Sequence, residues 1–174
     1  MDESVNIVLM DNERIQRSLD RMAHEIAEKN IDDRPVLLFG IEKRGFAIAN
    51  ALAKLLAPIF KEEVESVQLW LKSGNSQESL EQLQGRDVQN CFLIVVDDVI
   101  FSGQTMFTAL KKVSDALEPS QMHTAVLIDR GHRKFPVQAE FRGMELPTKA
   151  NEHVSVQVEG KDIEEVTLIS KERK

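Results

Sequence analysis

The sequence predicts an α/β protein whose central, mostly parallel sheet is flanked by helices. Apolar runs at residues 36–39, 91–96 and 124–128 contain almost no polar side chain, as expected of parallel strands that helices cover on both faces. The first two runs lead through a short loop into a segment with helical periodicity, the order of a strand–loop–helix unit. The last third of the chain carries short alternating runs instead, which predict a small antiparallel element from the C-terminal region.

Helical periodicity is clearest over residues 12–29, where apolar residues recur every three or four positions. Asp11 precedes this segment and can accept a hydrogen bond from its first turn. His24 falls near the apolar face, so we expect it to pack rather than to act in catalysis. Two further helices are predicted, over residues 46–53 with an end near Pro58 and over residues 105–117 with an end at Pro119.

The remaining segments predict shorter elements. Residues 64–71 alternate like a strand with one wetter face, and residues 5–9 suit a short edge strand. Residues 72–90 are polar and without a strong period, so they form either a mobile lid or a connection with one helical turn near residues 79–83. Small antiparallel strands are predicted at residues 137–141, 154–158 and 166–169.

Length and composition limit the class of protein. A chain of 174 residues suits one domain over residues 1–174. Its net charge of −7 and pI near 5.2 argue against a protein built mainly to bind nucleic acid, which usually presents a basic surface. Cys91 is the only cysteine and falls in an apolar run, so we expect a small buried side chain in a reducing cytoplasm. No apolar run approaches the roughly 20 residues that cross a bilayer, and the acidic N-terminus does not resemble a signal peptide.

The run at residues 91–96 ends in two adjacent carboxylates, Asp97 and Asp98. They stand at the carboxyl end of a predicted strand, where open α/β sheets bind ligands. Residues 102–105 then supply two hydroxyls and a glycine in front of a predicted helix, whose N-terminus favours an anion. Because carboxylates accept hydrogen bonds from vicinal hydroxyls, a ribose 5-phosphate would suit the whole stretch. The alternative is a buried strand followed by a solvated turn.

Two other predicted strands also end in charged turns. The first buried strand leads into residues 40–45, whose glycines permit a sharp bend and whose cations, Lys43 and Arg44, attract phosphate. The third leads into Asp129 and Arg130. In a doubly wound sheet these turns share one edge and form one site; taken alone, residues 40–45 are equally well explained as a basic turn in solvent.

Together these segments resemble the phosphoribosyl-pyrophosphate (PRPP) motif of the type I phosphoribosyltransferases, in which an apolar strand, an acidic pair and a hydroxyl–Gly–x–Thr loop follow in that order. Within that group the chain is most similar to the bifunctional pyrimidine-operon attenuator/uracil phosphoribosyltransferases. The similarity runs almost from end to end. It also includes residues 18–26, 40–45 and 125–133, Pro136, Gly143 and residues 146–148.

The resemblance implies a type I phosphoribosyltransferase fold and a cytoplasmic, homodimeric enzyme of pyrimidine salvage, in which N1 of uracil displaces pyrophosphate from PRPP to give UMP. Asp97, Asp98 and Arg44 would form the catalytic set. Mg²⁺ would be held mainly by PRPP and water, without direct protein ligands. The implied PRPP-binding residues are Lys43, Arg44, Asp97, Asp98, Phe101, Ser102, Gly103, Gln104 and Thr105, and the implied base-binding residues are Leu127, Ile128, Asp129 and Arg130.

Comparison with the family pattern leaves alternatives open. Phe101 stands where the hypoxanthine-guanine enzymes carry an aspartate, which favours a pyrimidine. Residues 71–74 replace the arginine and two acids that begin the family's catalytic lid, and Lys72 is only a point charge in place of an arginine. Gln138 and Met144 stand where the attenuators tend to carry basic residues. A second hypothesis is therefore a regulator that binds PRPP or a nucleotide, with RNA as a further partner; a third is a purine-directed transferase.

Overall fold

The computed structural model describes residues 4–72 and 78–171, and these ranges contain eight strands and four helices. The strands are β1 (Ser4–Met10), β2 (Val36–Ile41), β3 (Glu65–Leu69), β4 (Phe92–Ile100), β5 (His123–Asp129), β6 (Phe141–Glu145), β7 (Glu152–Glu159) and β8 (Asp162–Lys171). The helices are α1 (Asn12–Lys29), α2 (Glu42–Phe60), α3 (Glu78–Glu81) and α4 (Gln104–Leu117). None of the helices in the described ranges is long and apolar enough to cross a membrane.

Five strands form an all-parallel sheet in the order β3-β2-β4-β5-β6, which confirms the predicted fold class. The central strand, β4, pairs with β2 from Phe92 to Val96 and with β5 as far as Ile100. Asp97 and Asp98 therefore lie within β4, beyond the last residue that β2 pairs with. The strand is longer than its apolar run, and its last third forms one wall of an opening at the sheet edge.

Alternate residues of β4 face two separate cores. Ile94 and Val96 pack with residues of α1 and α2, whereas Leu93 and Val95 pack with residues of α3 and α4. Because helices cover both faces, the strand is continuously apolar up to its acidic end. Each such buried side chain contributes on the order of 1.5–3 kcal/mol, so the cores hold the carboxyl ends of the strands in place.

Helix α1 has the predicted bounds, and the Asp11 carboxylate accepts a hydrogen bond of 2.8 Å from the Arg14 amide. The expected packing role of His24 is wrong. Its side chain is 61% exposed, and its Nδ1 lies 2.8 Å from the carbonyl oxygen of Asp20. Ala23 lies at one side of the buried stripe of α1, which continues to Ile26. One residue corresponds to about 100° around a helix, so His24 is turned away from that stripe toward solvent.

Helix α2 extends beyond its predicted range at its N-terminus. It begins at Glu42, so Lys43 and Arg44 lie on the first helical turn and not in a loop. Its C-terminus agrees with the predicted end near Pro58, because the helix continues only two residues beyond this proline, to Phe60.

A second, antiparallel sheet joins both ends of the chain in the order β1-β8-β7. It confirms the strands predicted at residues 5–9, 154–158 and 166–169. The antiparallel strand predicted at residues 137–141 is wrong: only Phe141 belongs to a strand, β6, which runs parallel to β5 in the main sheet. A short alternating segment does not reveal the direction of its partner, because the period of two is the same in both kinds of sheet.

Cys91 lies immediately before β4 and is half-buried, so its predicted place inside the strand is wrong. Burial raises the pKa of its thiol. A raised pKa keeps the group protonated and therefore poorly nucleophilic, which agrees with a packing role for this side chain.

Candidate active site

Two glycines bring the start of α2 into direct contact with the main sheet. A Cβ atom on Gly40 would lie 2.2 Å from the Cα of Phe46, and one on Gly45 would lie 2.7 Å from the carbonyl oxygen of Val96. These positions need glycine because the backbones approach closely, not because a loop bends. The chain turns into the helix at Glu42, whose φ is +53°.

A cleft of about 520 Å³ opens at the carboxyl edge of the main sheet, next to the start of α2. It combines two of the three predicted turns, since both the cations of α2 and the acids of β4 line it. Helix α2 has no side-chain hydrogen bond at its N-cap, so its first N–H groups and its positive end remain available to an anion. The residues that line the cleft are Ile41, Glu42, Lys43, Arg44, Trp70, Leu71, Lys72, Asp97, Asp98, Val99 and Thr105.

The two carboxylates of the cleft have different environments. Asp97 is buried and Asp98 is half-buried. Burial, and then the neighbouring charge of Asp98, raise the pKa of Asp97 well above its usual value. Each carboxylate also accepts a backbone amide, from Asp98 to Asp97 Oδ1 at 2.8 Å and from Val99 to Asp98 Oδ1 at 2.9 Å. These bonds fix the orientation of both side chains toward the cleft.

Glu42 ties the end of β3 to the start of α2. Its Oε1 accepts hydrogen bonds from the amides of Leu71 at 2.8 Å and Lys72 at 3.1 Å, and its carbonyl oxygen accepts one from Gln68 Nε2 at 3.2 Å. The chain therefore leaves β3 at a fixed place on the rim of the cleft. Residues 71–74 differ from the start of the family's catalytic lid. Leu71 and Lys72 lie on the rim of the cleft, and residues 73 and 74 lie outside the described residues.

The loop at residues 101–105 borders the cleft at Thr105 and begins α4, which has Gly103 as its N-cap with φ +83° and no side-chain cap. Three carbonyl groups at the start of this turn accept hydrogen bonds from one segment, residues 130–135. The donors are the Arg130 amide to Ile100 at 2.9 Å, Arg133 Nη1 to Phe101 at 2.8 Å, and the Lys134 and Phe135 amides to Ser102 at 2.8 and 3.0 Å. The Gln104 amide donates to Ser102 Oγ at 3.2 Å, and the other amides at the start of α4, with the hydroxyls of Ser102 and Thr105, are polar groups that the loop can offer to a phosphate.

The third predicted turn supports the 101–105 loop and does not line the cleft. Arg130 is buried, its guanidinium carbon lies 4.3 Å from the centroid of the Phe101 ring, and its Nε donates to Thr148 Oγ1 at 2.8 Å. Asp129 pairs with Arg133 Nη2 at 2.8 Å. Desolvation lowers the pKa of the Arg130 guanidinium, but an arginine remains charged at neutral pH in either environment.

A family model described as the phosphoribosyl transferase domain matches residues 8–161. The chain belongs to the phosphoribosyltransferase family. It is 39% identical over 170 residues to the bifunctional protein PyrR of Clostridium novyi, which covers 93% of this chain and 96% of that one. The identity to the bifunctional protein PyrR of Herpetosiphon aurantiacus is also 39%, over 162 residues that cover 86% of this chain and 88% of the relative. The resemblance inferred from the motifs is confirmed.

Solved phosphoribosyltransferase structures share the fold of this chain. The hypoxanthine-guanine enzyme of Leishmania tarentolae in complex with GMP superposes with a TM-score of 0.74 at 20% identity, over 95% of this chain and 98% of that one. The hypoxanthine phosphoribosyltransferase of Trypanosoma cruzi gives a TM-score of 0.73 at 17% identity, over 95% and 97%. At this level of identity the likeness establishes the type I phosphoribosyltransferase fold.

In this phosphoribosyltransferase the predicted site residues fall into three groups. Lys43, Arg44, Asp97, Asp98 and Thr105 line one cleft. Phe101, Ser102 and Gly103 form the turn before α4, and Gln104 is the first residue of that helix. The side chains of Leu127 and Ile128 are fully buried in the core, and Asp129 and Arg130 are bonded to neighbouring residues.

Two residues that shape the site were not predicted to do so. Glu42 has no counterpart in the sequence argument, although it is the only acid among residues 40–45. Arg133 enters the sequence argument only as the last residue of the similar segment 125–133. Its position five residues after the predicted strand gave no signal that it would reach back to the 101–105 loop.

Proposed function

We propose that this protein transfers the ribose 5-phosphate of PRPP to uracil, releasing pyrophosphate and forming UMP. The observation that carries the proposal is the cleft itself, which places the cations Lys43 and Arg44 opposite the acids Asp97 and Asp98, with Thr105 of the 101–105 loop at its border. PRPP carries a 5-phosphate and a pyrophosphate on either side of a ribose diol, and the cleft offers cations, a loop at a helix start and a pair of carboxylates for these three parts.

In this proposal each part of PRPP has its own partners. The 5-phosphate lies on the 101–105 loop at the start of α4, and the pyrophosphate lies between Lys43 and Arg44 at the start of α2. Both helix ends favour an anion, because neither has a side-chain cap. Asp97 and Asp98 accept the hydrogen bonds of the ribose hydroxyls.

The reaction needs little more than positioning and charge. The bond from C1 of the ribose to pyrophosphate breaks, and its electron pair leaves with pyrophosphate. N1 of uracil forms the new bond to C1, and its proton passes to pyrophosphate or to water. The sugar becomes cation-like on the way, so the two carboxylates beside it stabilise the transition state. Burial, and then the charge of Asp98, raise the pKa of Asp97, and positive charge that develops next to the pair offsets both effects.

Magnesium is part of the proposal. Asp97 and Asp98 offer oxygen atoms of the kind that Mg²⁺ prefers, but too few to form an octahedral site by themselves. PRPP and water would therefore supply the ligands, without a direct bond from the protein. When bound, the ion neutralises charge on the leaving pyrophosphate.

Uracil as the base is supported by the residue at position 101. A phenylalanine offers no proton acceptor to a purine ring, and the curated relatives carry the name bifunctional protein PyrR. Because the side chains of Leu127 and Ile128 are buried, any contact of β5 with the base involves backbone atoms. We retain the segment 127–130 as the proposed border of the base.

The direct experiment is a base panel. The protein is incubated with PRPP, Mg²⁺ and, separately, uracil, cytosine, hypoxanthine, guanine and adenine, and the nucleotide products are separated by chromatography. We expect UMP from uracil. A purine nucleotide as the main product would support the purine-directed hypothesis instead. The absence of a product with any base would contradict the proposal that the protein is an active transferase.

A variant pair identifies the site in the same experiment. Replacing Asp97 and Asp98 together by asparagine should abolish PRPP binding measured by calorimetry, because the hydroxyl acceptors lose their charge. Asp87→Asn is the matched control, since Asp87 is an exposed acid outside the cleft. Equal PRPP affinity in the double variant and the control would place PRPP elsewhere.

A regulator that binds PRPP or a nucleotide without turnover is the second proposal. It is favoured by Lys72, which takes a place on the cleft rim where an arginine would clamp pyrophosphate more firmly. Binding by calorimetry without product in the base panel would support it. RNA as a partner is less well supported, because the guanidinium groups of Arg130 and Arg133 are already bonded within the protein.

We also propose that residues 1–174 act as one domain in a cytoplasmic homodimer. Core residues of the small sheet, such as Val154 and Val166, pack in the same cluster as Ile94 of the main sheet, which supports one folding unit. Light scattering at several protein concentrations measures the mass and tests the dimer.

A further inference from the structure

A second hollow lies beside the cleft, between the start of α2, the end of β3 and the turn that joins β7 to β8. We call it the hairpin groove; its volume is about 580 Å³. Three cations (Lys43, Arg44 and Lys161) and two aromatic rings (Phe46 and Trp70) line it. Lys43, Arg44 and Trp70 also line the cleft, so the two hollows meet at these side chains.

The charge of the hairpin groove differs from that of the cleft. No acid is among the residues that line it, whereas Glu42, Asp97 and Asp98 line the cleft. Within the described part of the chain, neither Lys43 nor Lys161 forms an ion pair, and the same holds for Arg44. In a chain with a net charge of −7, this concentration of unpaired positive charge attracts an anion with several charges.

The aromatic side chains give the hairpin groove an apolar wall. Phe46 and Trp70 are half-buried, so each leaves part of its ring exposed. The Lys161 ammonium lies 5.7 Å from the centroid of the Phe46 ring and is presented by a tight turn in which Gly160 has φ +62°. Planar bases stack on such rings with a gain of about 1–3 kcal/mol per base.

We propose that the hairpin groove binds a nucleoside polyphosphate, with its base against Trp70 or Phe46 and its phosphates near Lys43, Arg44 and Lys161. Cations and exposed rings in one hollow match a ligand that has both a phosphate chain and a flat ring. Because the proposed pyrophosphate position uses the same Lys43 and Arg44, the nucleotide and PRPP compete. The groove would therefore let a nucleotide inhibit the enzyme without entering the ribose position.

The test uses Trp70, which is the only tryptophan in the chain, and follows its fluorescence in the full-length protein during titration with UTP. Excitation at the red edge of tryptophan absorption limits absorption by the nucleotide. Because Trp70 also lines the cleft, the decisive comparison is with Lys161→Ala, which alters the hairpin groove alone. Lys54→Ala is the matched control, because Lys54 is an exposed lysine of α2 outside both hollows.

We expect a saturable change with UTP, a dissociation constant that rises about fivefold in Lys161→Ala, and no such rise in Lys54→Ala. Added PRPP should weaken UTP binding in the unaltered protein. Equal UTP affinity in Lys161→Ala and Lys54→Ala would mean that the nucleotide lies in the cleft and would overturn the proposal, as would the lack of a saturable change.

Two fragments of the ligand separate its parts. Inorganic tripolyphosphate carries the charges without a ring, and uridine carries the ring without charges, so both should bind more weakly than UTP. Tripolyphosphate that binds as tightly as UTP would overturn the role of Trp70 and Phe46. The proposal rests on the proposed function only for the competition with PRPP. Turnover in the base panel is a separate measurement, so the proposed enzyme activity and the proposed nucleotide site can be disproved independently of each other.

Discussion

Arg133 donates a hydrogen bond of 2.8 Å to the carbonyl oxygen of Phe101, 32 residues earlier in the chain. The same guanidinium pairs with Asp129 at 2.8 Å and donates to the carbonyl oxygen of Val137 at 2.9 Å. One side chain thus connects the end of β5 to the 101–105 loop. A planar fork with fixed donors suits this task, because it satisfies several acceptors at once.

Arg133→Lys should therefore remove hydrogen bonds that hold the 101–105 loop in position, while a positive charge remains beside Asp129. The ammonium of lysine cannot reach three acceptors in different directions, so the loop loses its fixed position and the 5-phosphate is bound less tightly. We expect the KM for PRPP to rise about tenfold, as for the loss of a charged hydrogen bond, with a smaller change in kcat. Steady-state kinetics with PRPP as the varied substrate measures both.

Lys134→Ala is the control for Arg133, because only the backbone N–H of Lys134 contacts the loop, at Ser102. It should leave the KM for PRPP near its original value. If both variants gave the same KM, Arg133 would have no particular role in positioning the loop.

The raised pKa of Asp97 predicts a pH dependence of stability. Burial and Asp98 raise this pKa above its usual value of 3.8, so between these two pKa values the folded protein binds more protons than the unfolded chain. The free energy of unfolding therefore falls as pH rises from about 3.8 to the raised pKa, and the loss stays constant above it. Asp97→Asn removes this loss and keeps an oxygen that accepts the Asp98 amide.

Urea unfolding of the unaltered protein and of Asp97→Asn over a series of pH values tests this sign. The stability advantage of the asparagine variant should grow as pH rises. Asp87→Asn, at an exposed position, should show no such growth. A constant difference between Asp97→Asn and the unaltered protein would indicate that Asp97 keeps an ordinary pKa.

Gly45→Ala tests the close contact between α2 and β4. Alanine is favoured over glycine in a helix interior by about 1 kcal/mol, but its Cβ would lie 2.7 Å from the carbonyl oxygen of Val96. That atom belongs to the central strand and cannot move cheaply, so we expect net destabilisation of about 1–3 kcal/mol. PRPP affinity should also fall, because Lys43 and Arg44 move with the start of the helix.

Thermal unfolding and PRPP calorimetry measure these two effects. Gly85→Ala is a useful comparison, since Gly85 has φ +84° but no atom within 4 Å of its added Cβ and lies outside the cleft. Gly85→Ala should lower the free energy of unfolding without changing the affinity for PRPP. A stabilised Gly45→Ala protein would show that α2 can move away from β4.

Glu42→Ala tests the connection at the cleft rim. The amides of Leu71 and Lys72 would lose their acceptor, Glu42 Oε1, and should exchange with solvent faster. Glu42→Gln keeps a side-chain oxygen at this place and should retain most of the protection. Amide hydrogen exchange at Leu71 and Lys72 measures this directly, and unchanged exchange in Glu42→Ala would mean that other contacts hold the rim.

Much of the fold could be predicted from periodicity alone. The helices at residues 12–29 and 105–117 and the buried strands appear almost where they were expected, because a two-sided core requires apolar residues at fixed intervals. The errors occur where that rule gives no information. Period two did not reveal that β6 runs parallel to β5, and the helical stripe did not reveal that His24 lies just outside it.

The sequence by itself determined that the acids of β4 and the cations of α2 share one cleft, since both follow buried strands whose carboxyl ends must meet at one edge. It wrongly added Asp129 and Arg130 to that cleft and missed Glu42. Only the tertiary structure decided how those residues are held. The hydrogen bonds from Arg133 to the Phe101 carbonyl and from the Leu71 amide to Glu42 join positions that are 32 and 29 residues apart. The physical reason is that periodicity records which side of an element is buried, whereas a hydrogen bond between distant segments depends on where two elements meet in space.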